Sequence, residues 1–318
     1  MQRRNKFVKL SLLLMCTVIA LFSTNIGGNT SVEAAGGERV VKHGMGQTTI
    51  KGTPKRVIVL TNEGTEAVLA MGVTPVGAVT SWEGDPWYPH IAKKMKGVKP
   101  LGDETQPNLE LIFALKPDLI IGNKARHEKI YPQLSKIAPT VYGPDLTGKW
   151  KDNFNVYADA LNKKAEGKKA LAAYDKHVAD VKKQLGKKVN KKVSIARFQA
   201  AQVRIYQLDT FSGVILKDLG LQRPAAQNKN SFIEKITKER MADLDGDIMF
   251  YWVAEKPGST DAANNVKDWF NDPLFKNLNV AKTKQVHKIS ESIWNSAGGI
   301  MAANLMLDEL AGFFKNVK

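Results

Sequence analysis

The sequence predicts an α/β fold built as two lobes of similar architecture, on three observations. From residue 37 onward, short apolar runs alternate with helical stretches. A long segment without strands separates those runs into two sets. The two sets share a local spacing pattern.

The first set of strands is expected at Arg56–Leu60, Pro75–Val79, Asp118–Gly122 and Thr140–Tyr142, and the second at Val193–Phe198, Arg204–Leu208, Asp247–Trp252 and Gln285–Ile289. No proline occurs from Asp145 through Arg223. Within that span Phe154, Tyr157, Ala158 and Leu161 fall at helical spacing. Beyond Gly167, Leu171, Tyr174, Val178, Val181 and Leu185 continue in steps of three and four, and Gly186 is suited to end the helix. This reads as one or two helices, and a connector of that kind is stiff. The expected organisation is an N-terminal lobe over 35–150, a helical segment over 151–190 and a C-terminal lobe over 191–318. The shared pattern is Glu110, Leu115 and Asp118 in the first lobe against Glu239, Leu244 and Asp247 in the second, with the Asp opening an apolar strand each time. A weaker echo sets Leu69-Ala-Met-Gly72-Val73 against Leu216-Lys-Asp-Leu219-Gly220-Leu221.

Residues 1–34 read as a secretory signal: Arg3, Arg4, Lys6 and Lys9, then the apolar run Leu10–Phe22, then Ala34-Ala35 at the cut. That run is shorter than the roughly 20 residues that span a bilayer. Cys16 is either a site of lipid attachment or a cysteine packed within the signal. Met15 stands where a lipoprotein usually carries a small residue. The expected location is the outer face of the cytoplasmic membrane, attached to the cell surface or secreted.

Lys and Arg number 47 against 31 Asp and Glu, a net charge of +16, so an acidic or anionic partner is expected. A single cysteine removes thiolate zinc, iron–sulfur and CxxC chemistry, and five histidines with no HxxxH pair argue against a His-rich metal cage. No GxSxG, P-loop, GxGxxG or HExxH occurs, although Ser296 beside Gly298-Gly299 leaves an exported hydrolase as the rival reading. The basic stretch Lys182–Lys192 has no interleaved aromatics and reads as a solvated turn at a helix end, so no nucleic-acid partner is expected.

Pro54-Lys-Arg-Val-Ile-Val-Leu60, Leu69-Ala-Met-Gly-Val-Thr-Pro-Val-Gly77 and Lys116-Pro-Asp-Leu-Ile-Ile-Gly122 resemble the substrate-binding proteins of bacterial ABC importers for iron–siderophores. So do Asp272-Pro-Leu-Phe-Lys-Asn-Leu278, Lys284-Gln-Val-His287 and Ile293-Trp-Asn-Ser-Ala-Gly-Gly299. The resemblance covers essentially the whole mature chain. It implies two lobes, each a largely parallel sheet with flanking helices, joined by a long helix around a ligand cleft that closes little. It also implies a monomeric receptor, not an enzyme, that hands a ferric siderophore to an ABC permease and carries no intrinsic cofactor. The segments Ala196-Arg-Phe198, Val203-Arg-Ile-Tyr206 and Asp218-Leu-Gly-Leu-Gln-Arg-Pro224 are similar to those of hydroxamate and citrate-hydroxamate receptors. Haem or cobalamin is the alternative ligand class; Met249 or His287 could serve a haem iron.

A ferric siderophore already satisfies its metal, so its receptor needs cations and aromatic walls, with no metal ligands of its own. Arg126, past the carboxyl end of Asp118–Gly122, is expected in the cleft; the alternative is a solvated arginine at a helix start. Arg197 and Arg204 flank a strand-connecting turn and either bind ligand or pair with acids across the sheet. Tyr206 offers a hydroxyl or packs in the core. Trp82, in a Gly/Pro loop, Trp252, at a strand end, and Trp294, in a loop, are expected aromatic walls. Asn295 bonds the ligand or caps the following helix. Glu110 and Glu239 are first-turn acids, which complement a helix dipole; by resemblance they are also the docking acids for the permease, with Glu66 a lesser candidate.

Overall fold

The computed structural model describes residues 37–315 and 317; the expected signal sequence over 1–34 and Cys16 lie outside them. A hairpin of β1 (Glu38–His43) and β2 (Gly46–Lys51) precedes the first sheet. That sheet comprises β3 (Val57–Val59), β4 (Gly77–Ala78), β5 (Lys99–Pro100), β6 (Leu119–Asn123) and β7 (Thr140–Gly143). Its order is β5-β4-β3-β6-β7 and every pairing is parallel. The second sheet holds β8 (Val193–Gln199), β9 (Gln202–Tyr206), β10 (Ile233–Ile236), β11 (Ile248–Val253) and β12 (Val286–Lys288) in the order β10-β9-β8-β11-β12. Here β8, β11 and β12 run parallel, while β9 and β10 pair antiparallel. β3 and β6 are buried throughout, as strands covered by helices on both faces must be.

Among the helices that frame the lobes are α1 (Asn62–Ala70), α2 (Leu109–Ala114), α3 (Trp150–Ala160), α4 (Lys164–Leu185), α5 (Phe211–Leu219), α6 (Asp261–Asn271) and α7 (Ile300–Phe314). α4 buries Gly167, Tyr174, Val178, Val181 and Leu185 on one stripe and ends at Gly186, whose φ of +54° suits glycine. A side chain at Gly167 would press on Ala158, so the glycine lets α3 and α4 approach closely. α4 also packs along α7, which lies against α1.

The repeat has a structural cause. Asp118, just before β6, accepts hydrogen bonds from the backbone N–H groups of Lys55 and Arg56, both at 2.8 Å, and so pins the entry to β3. Asp247, just before β11, accepts from Lys192 N at 2.7 Å and pins the entry to β8. One carboxylate therefore ties the two central strands of each sheet. The weaker echo marks helix ends: Gly72 and Gly220 both take a φ of +78°. At the other ends of these helices Thr61 and Thr210 accept at 3.0 Å from Gly64 N and Gly213 N. A Cβ at position 213 would fall against the Gln207 carbonyl oxygen. Gly213→Ala is expected to cost about 1–3 kcal/mol of stability by overpacking, read as a lower urea midpoint with an unchanged slope.

All eight expected strands are present with shifted ends, and four more were not anticipated. β1 and β2 are mostly polar and exposed, β5 is a two-residue edge strand containing Pro100, and β10 is a second edge. None of the four carries the buried apolar run by which the others are legible. The strand expected at Arg204–Leu208 is Gln202–Tyr206, because the turn after β8 takes only Ala200 and Ala201.

Candidate ligand cleft

A cavity of about 640 Å³ lies between the lobes. Residues after β3, β6, β7 and β11 border it, so it sits at the carboxyl ends of the parallel strands, where open α/β sheets place ligands.

On the N-terminal side, Arg126 follows β6 in the short helix Lys124–His127, and its Nε lies 3.2 Å from Glu104 Oε1. Glu104 is buried, and its other oxygen accepts from the Asn62 backbone N–H at 2.9 Å and the Asn62 side chain at 2.8 Å. Arg126 is thus held in place by an acid that α1 itself fixes. Trp82 is 44 % exposed at the cleft edge. Its loop is closed by Ser81, whose N–H donates to the Pro86 carbonyl and whose hydroxyl accepts from Tyr88 N.

On the C-terminal side, Arg197 and Arg204 are direct cross-strand partners on β8 and β9. Like charges placed opposite one another are unfavourable. Arg197 is compensated by Glu291, with Nη2 to Oε1 at 2.6 Å; the acid stands at the start of the π-helical turn after β12 and not across the sheet, and Arg197 also borders the cleft. The Arg204 side chain makes no hydrogen bond or ion pair among the described residues, and its Nε is buried without a partner. Tyr206 also borders the cleft; burial pushes its hydroxyl up to about 12 against the opposing pull of the two arginines. Burial raises Glu291 above the usual carboxylate range despite Arg197, and Asn295 donates to it at 3.2 Å.

Six of the eight expected ligand residues therefore share one cavity: Arg126, Arg197, Arg204, Trp82, Tyr206 and Asn295. Trp252 and Trp294 do not border it. Trp252 is 1 % exposed and packs edge-on under Tyr206 at 4.6 Å; strand alternation turns Val253 to the cleft in its stead. Trp294 is fully buried on Phe250, with its Nε1 donating to Glu309 at 2.5 Å, because the π-helical turn Ser292–Ser296 aims Asn295 and Ser296 into the cleft and Trp294 inward. Asn295 does not cap α7. Glu66 does so, accepting from Met301 N and Ala302 N at 2.8 and 2.9 Å while its other oxygen meets His90 Nε2 at 2.5 Å. Glu66 is completely buried and cannot dock a partner. Glu110 and Glu239 are both exposed, outside the cleft. Met249 and His287 do not border it either.

Sequence reasoning gives no site role to Trp150 and Phe232, which with Phe211 complete the aromatic lining, nor to Glu63, Glu104 and Glu291. The strand-end rule applied to Arg126 would have found Trp150, which follows β7. Glu104 had no local signal, since its role depends on contacts with α1. Three arginines and five glutamates border the cavity, so it is less cationic than the chain as a whole. Two of those acids hold arginines, and a third, Glu255, accepts from Ala262 N and Ala263 N at the start of α6.

Two α/β lobes linked through a long helix, with a cleft lined by three arginines, have the architecture of a bilobed ligand receptor. The family model for "Periplasmic binding protein" matches residues 57–292, and the chain belongs to that family. It is 44 % identical over 314 residues to the probable siderophore-binding lipoprotein YfiY of Bacillus subtilis, covering 96 % of this chain and 97 % of that one. Identity to the Fe(3+)-citrate-binding protein YfmC of the same organism is 34 %, over 92 % of this chain and 91 % of that protein. Among solved structures, Staphylococcus aureus SirA complexed with staphyloferrin B superposes with a TM-score of 0.81 at 37 % identity, covering 87 % of this chain and 98 % of SirA.

Proposed function

We propose that this chain is an extracytoplasmic receptor that binds a ferric siderophore of the citrate or citrate-hydroxamate type in the interlobe cleft and delivers it to an ABC permease. The observation that carries this is Arg204, a guanidinium placed opposite a second arginine and left without an internal counter-charge. Such a placement is costly unless an anion completes it. A ferric complex with outward carboxylate oxygens supplies that anion, and guanidinium meets carboxylate in a bidentate geometry. The citrate branch is favoured because relatives named for Fe(3+)-citrate and achromobactin reach 34 % and 33 % identity, against 28 % for a hydroxamate-binding protein.

The role is reversible binding without turnover or an intrinsic cofactor, by one chain acting alone. Among the described residues no group of three or more His, Cys, Asp or Glu could hold a metal ion, so iron would arrive and leave inside its chelator. A haem ligand is disfavoured because neither Met249 nor His287 reaches the cavity. No described helix is long and apolar enough to cross a membrane, so attachment at the outer face would rest on the permease or on Cys16.

Trp82 and Trp150 border the cavity, so ligand binding should quench intrinsic fluorescence. Ferric staphyloferrin B or ferric citrate should quench saturably at one per chain, more tightly than a ferric trihydroxamate or triscatecholate. Absence of quenching by all four at micromolar concentrations would refute the reading; preference for the trihydroxamate would refute the subclass.

A further inference from the structure

The floor of the cleft contains an acid that the fold does not use. Glu63 sits in the first turn of α1, borders the cavity, and is 7 % exposed. Neither of its carboxyl oxygens makes a well-formed hydrogen bond among the described residues, although the polar ends of Asn153 and Tyr157 lie beside it. The cap of α1 is supplied by Thr61, so the helix has no need of Glu63. An unpartnered buried carboxylate is among the most unfavourable groups a cleft for anions could contain.

We propose that Glu63 is a ligand-binding residue: a protonated carboxylic acid that donates its O–H to a carboxylate oxygen of the ferric complex. The inference rests on the siderophore reading and adds to it that the bound complex presents a hydrogen-bond acceptor to the N-terminal lobe as well as to the arginines opposite.

The surroundings keep the proton on. Burial drives Glu63 well above the usual carboxylate range, and the neighbouring charges of Glu104 and Asp145 push the same way. Hydrogen bonding from Asn153 and Tyr157, both on α3, pulls the other way and does not prevail. The N-terminus of α1 also favours the anion. Glu104 is already committed to Arg126 and Asn62, so no cation is left beside Glu63 to neutralise it. Across the cavity stand Arg197, paired with Glu291, and the unpaired Arg204; Glu83 borders the mouth. A neutral acid in this position does not repel an anionic ligand, and its O–H becomes a donor where the lobe offers few others. An ionised Glu63 would call instead for an ammonium group on the ligand.

The two forms are separated by a substitution that keeps a donor but cannot ionise. Affinity for ferric staphyloferrin B would be measured from pH 6 to pH 10 for the wild-type chain, Glu63→Gln and Glu63→Leu. Taking each variant against wild type at the same pH cancels titration of the ligand itself. At pH 6, Glu63→Gln should bind within about threefold of wild type and Glu63→Leu at least about tenfold more weakly, one hydrogen bond to a charged group being lost. As pH rises past the point where free Glu63 ionises, wild type must recover a proton to bind. Its affinity should then fall relative to Glu63→Gln by up to about tenfold per pH unit. Three results overturn the proposal: Glu63→Gln much weaker than wild type at pH 6, which marks an ionised partner for a cation; Glu63→Leu equal to wild type; or a constant ratio of wild type to Glu63→Gln up to pH 10. If all three proteins fail to bind, the siderophore reading falls and this inference with it. Thermal midpoints matched among the three exclude a general folding defect.

Discussion

Cells whose only copy of this receptor carries Glu110→Arg with Glu239→Arg are expected to lose siderophore-dependent iron uptake, while the purified variant binds its ferric ligand normally. Each acid lies in the first turn of a short helical segment, α2 for Glu110 and Lys238–Leu244 for Glu239. Both are exposed, and neither forms an ion pair among the described residues. Asn108 caps the first segment by accepting from Leu111 N at 3.0 Å. In the second, the Thr237 hydroxyl holds the Glu239 carboxyl below its usual range, so it is fully charged at neutral pH. The strand-pinning Asp118 and Asp247 follow each acid by eight residues. Each lobe therefore presents one exposed acid eight residues before its strand-pinning aspartate, the arrangement that docking onto a permease of two basic-faced subunits would use. Reversing one such contact sets like charges together at a cost on the order of several kcal/mol, and reversing both doubles it. Wild-type uptake by the double variant would refute docking through these acids. Lost ligand affinity would show that they serve the fold or the cleft.

The sheets were legible because their central strands are buried on both faces and therefore appear as continuous apolar runs; β6, Leu-Ile-Ile-Gly-Asn, is the clearest. The connecting helix was legible from its stripe and its terminal glycine. The strands that escaped notice are edges or hairpins whose residues answer to no core. The site divides along a similar line. Arg126, Arg197 and Arg204 could be placed because each adjoins a strand end or strand turn, and topology carries strand ends to the cleft. Trp252 and Trp294 were misplaced by one residue of phase: Val253 and Asn295, their chain neighbours, face the cavity instead. A strand end that stops one residue later, or a turn that widens to a π-helix, reverses which side chain points outward, and composition does not encode that register. Glu66 shows the remaining gap. It resembled other surface acids in the chain, yet its carboxylate lies against the backbone of a helix more than 230 residues later. Gly299, where a side chain would collide with it, makes room for the contact.

Of the single substitutions, Arg204→Ala should weaken ferric-ligand binding most, by about 1.5–3 kcal/mol, roughly a 10- to 100-fold rise in Kd. Arg126 and Arg197 already have carboxylate partners at 3.2 and 2.6 Å, so part of their charge is offset before a ligand arrives. The neighbouring carboxylate also repels an anionic ligand, which lowers the net gain at those two positions. Arg204 has no such acid beside it, and its buried Nε lacks a partner that an anion would supply. Its removal also relieves the like-charge contact with Arg197 across β8 and β9, so the variant should be at least as stable as wild type when ligand is absent. That combination, weaker binding with an unchanged or raised melting temperature, distinguishes a ligand-binding arginine from a structural one. Arg197→Ala should behave differently: it strands Glu291 in a largely buried place without its cation, and stability should fall along with affinity. Arg204→Lys should recover only part of the lost affinity, because an ammonium supplies charge without the bidentate fork. Full affinity in Arg204→Ala, with the protein folded, would place the anion site elsewhere in the cleft.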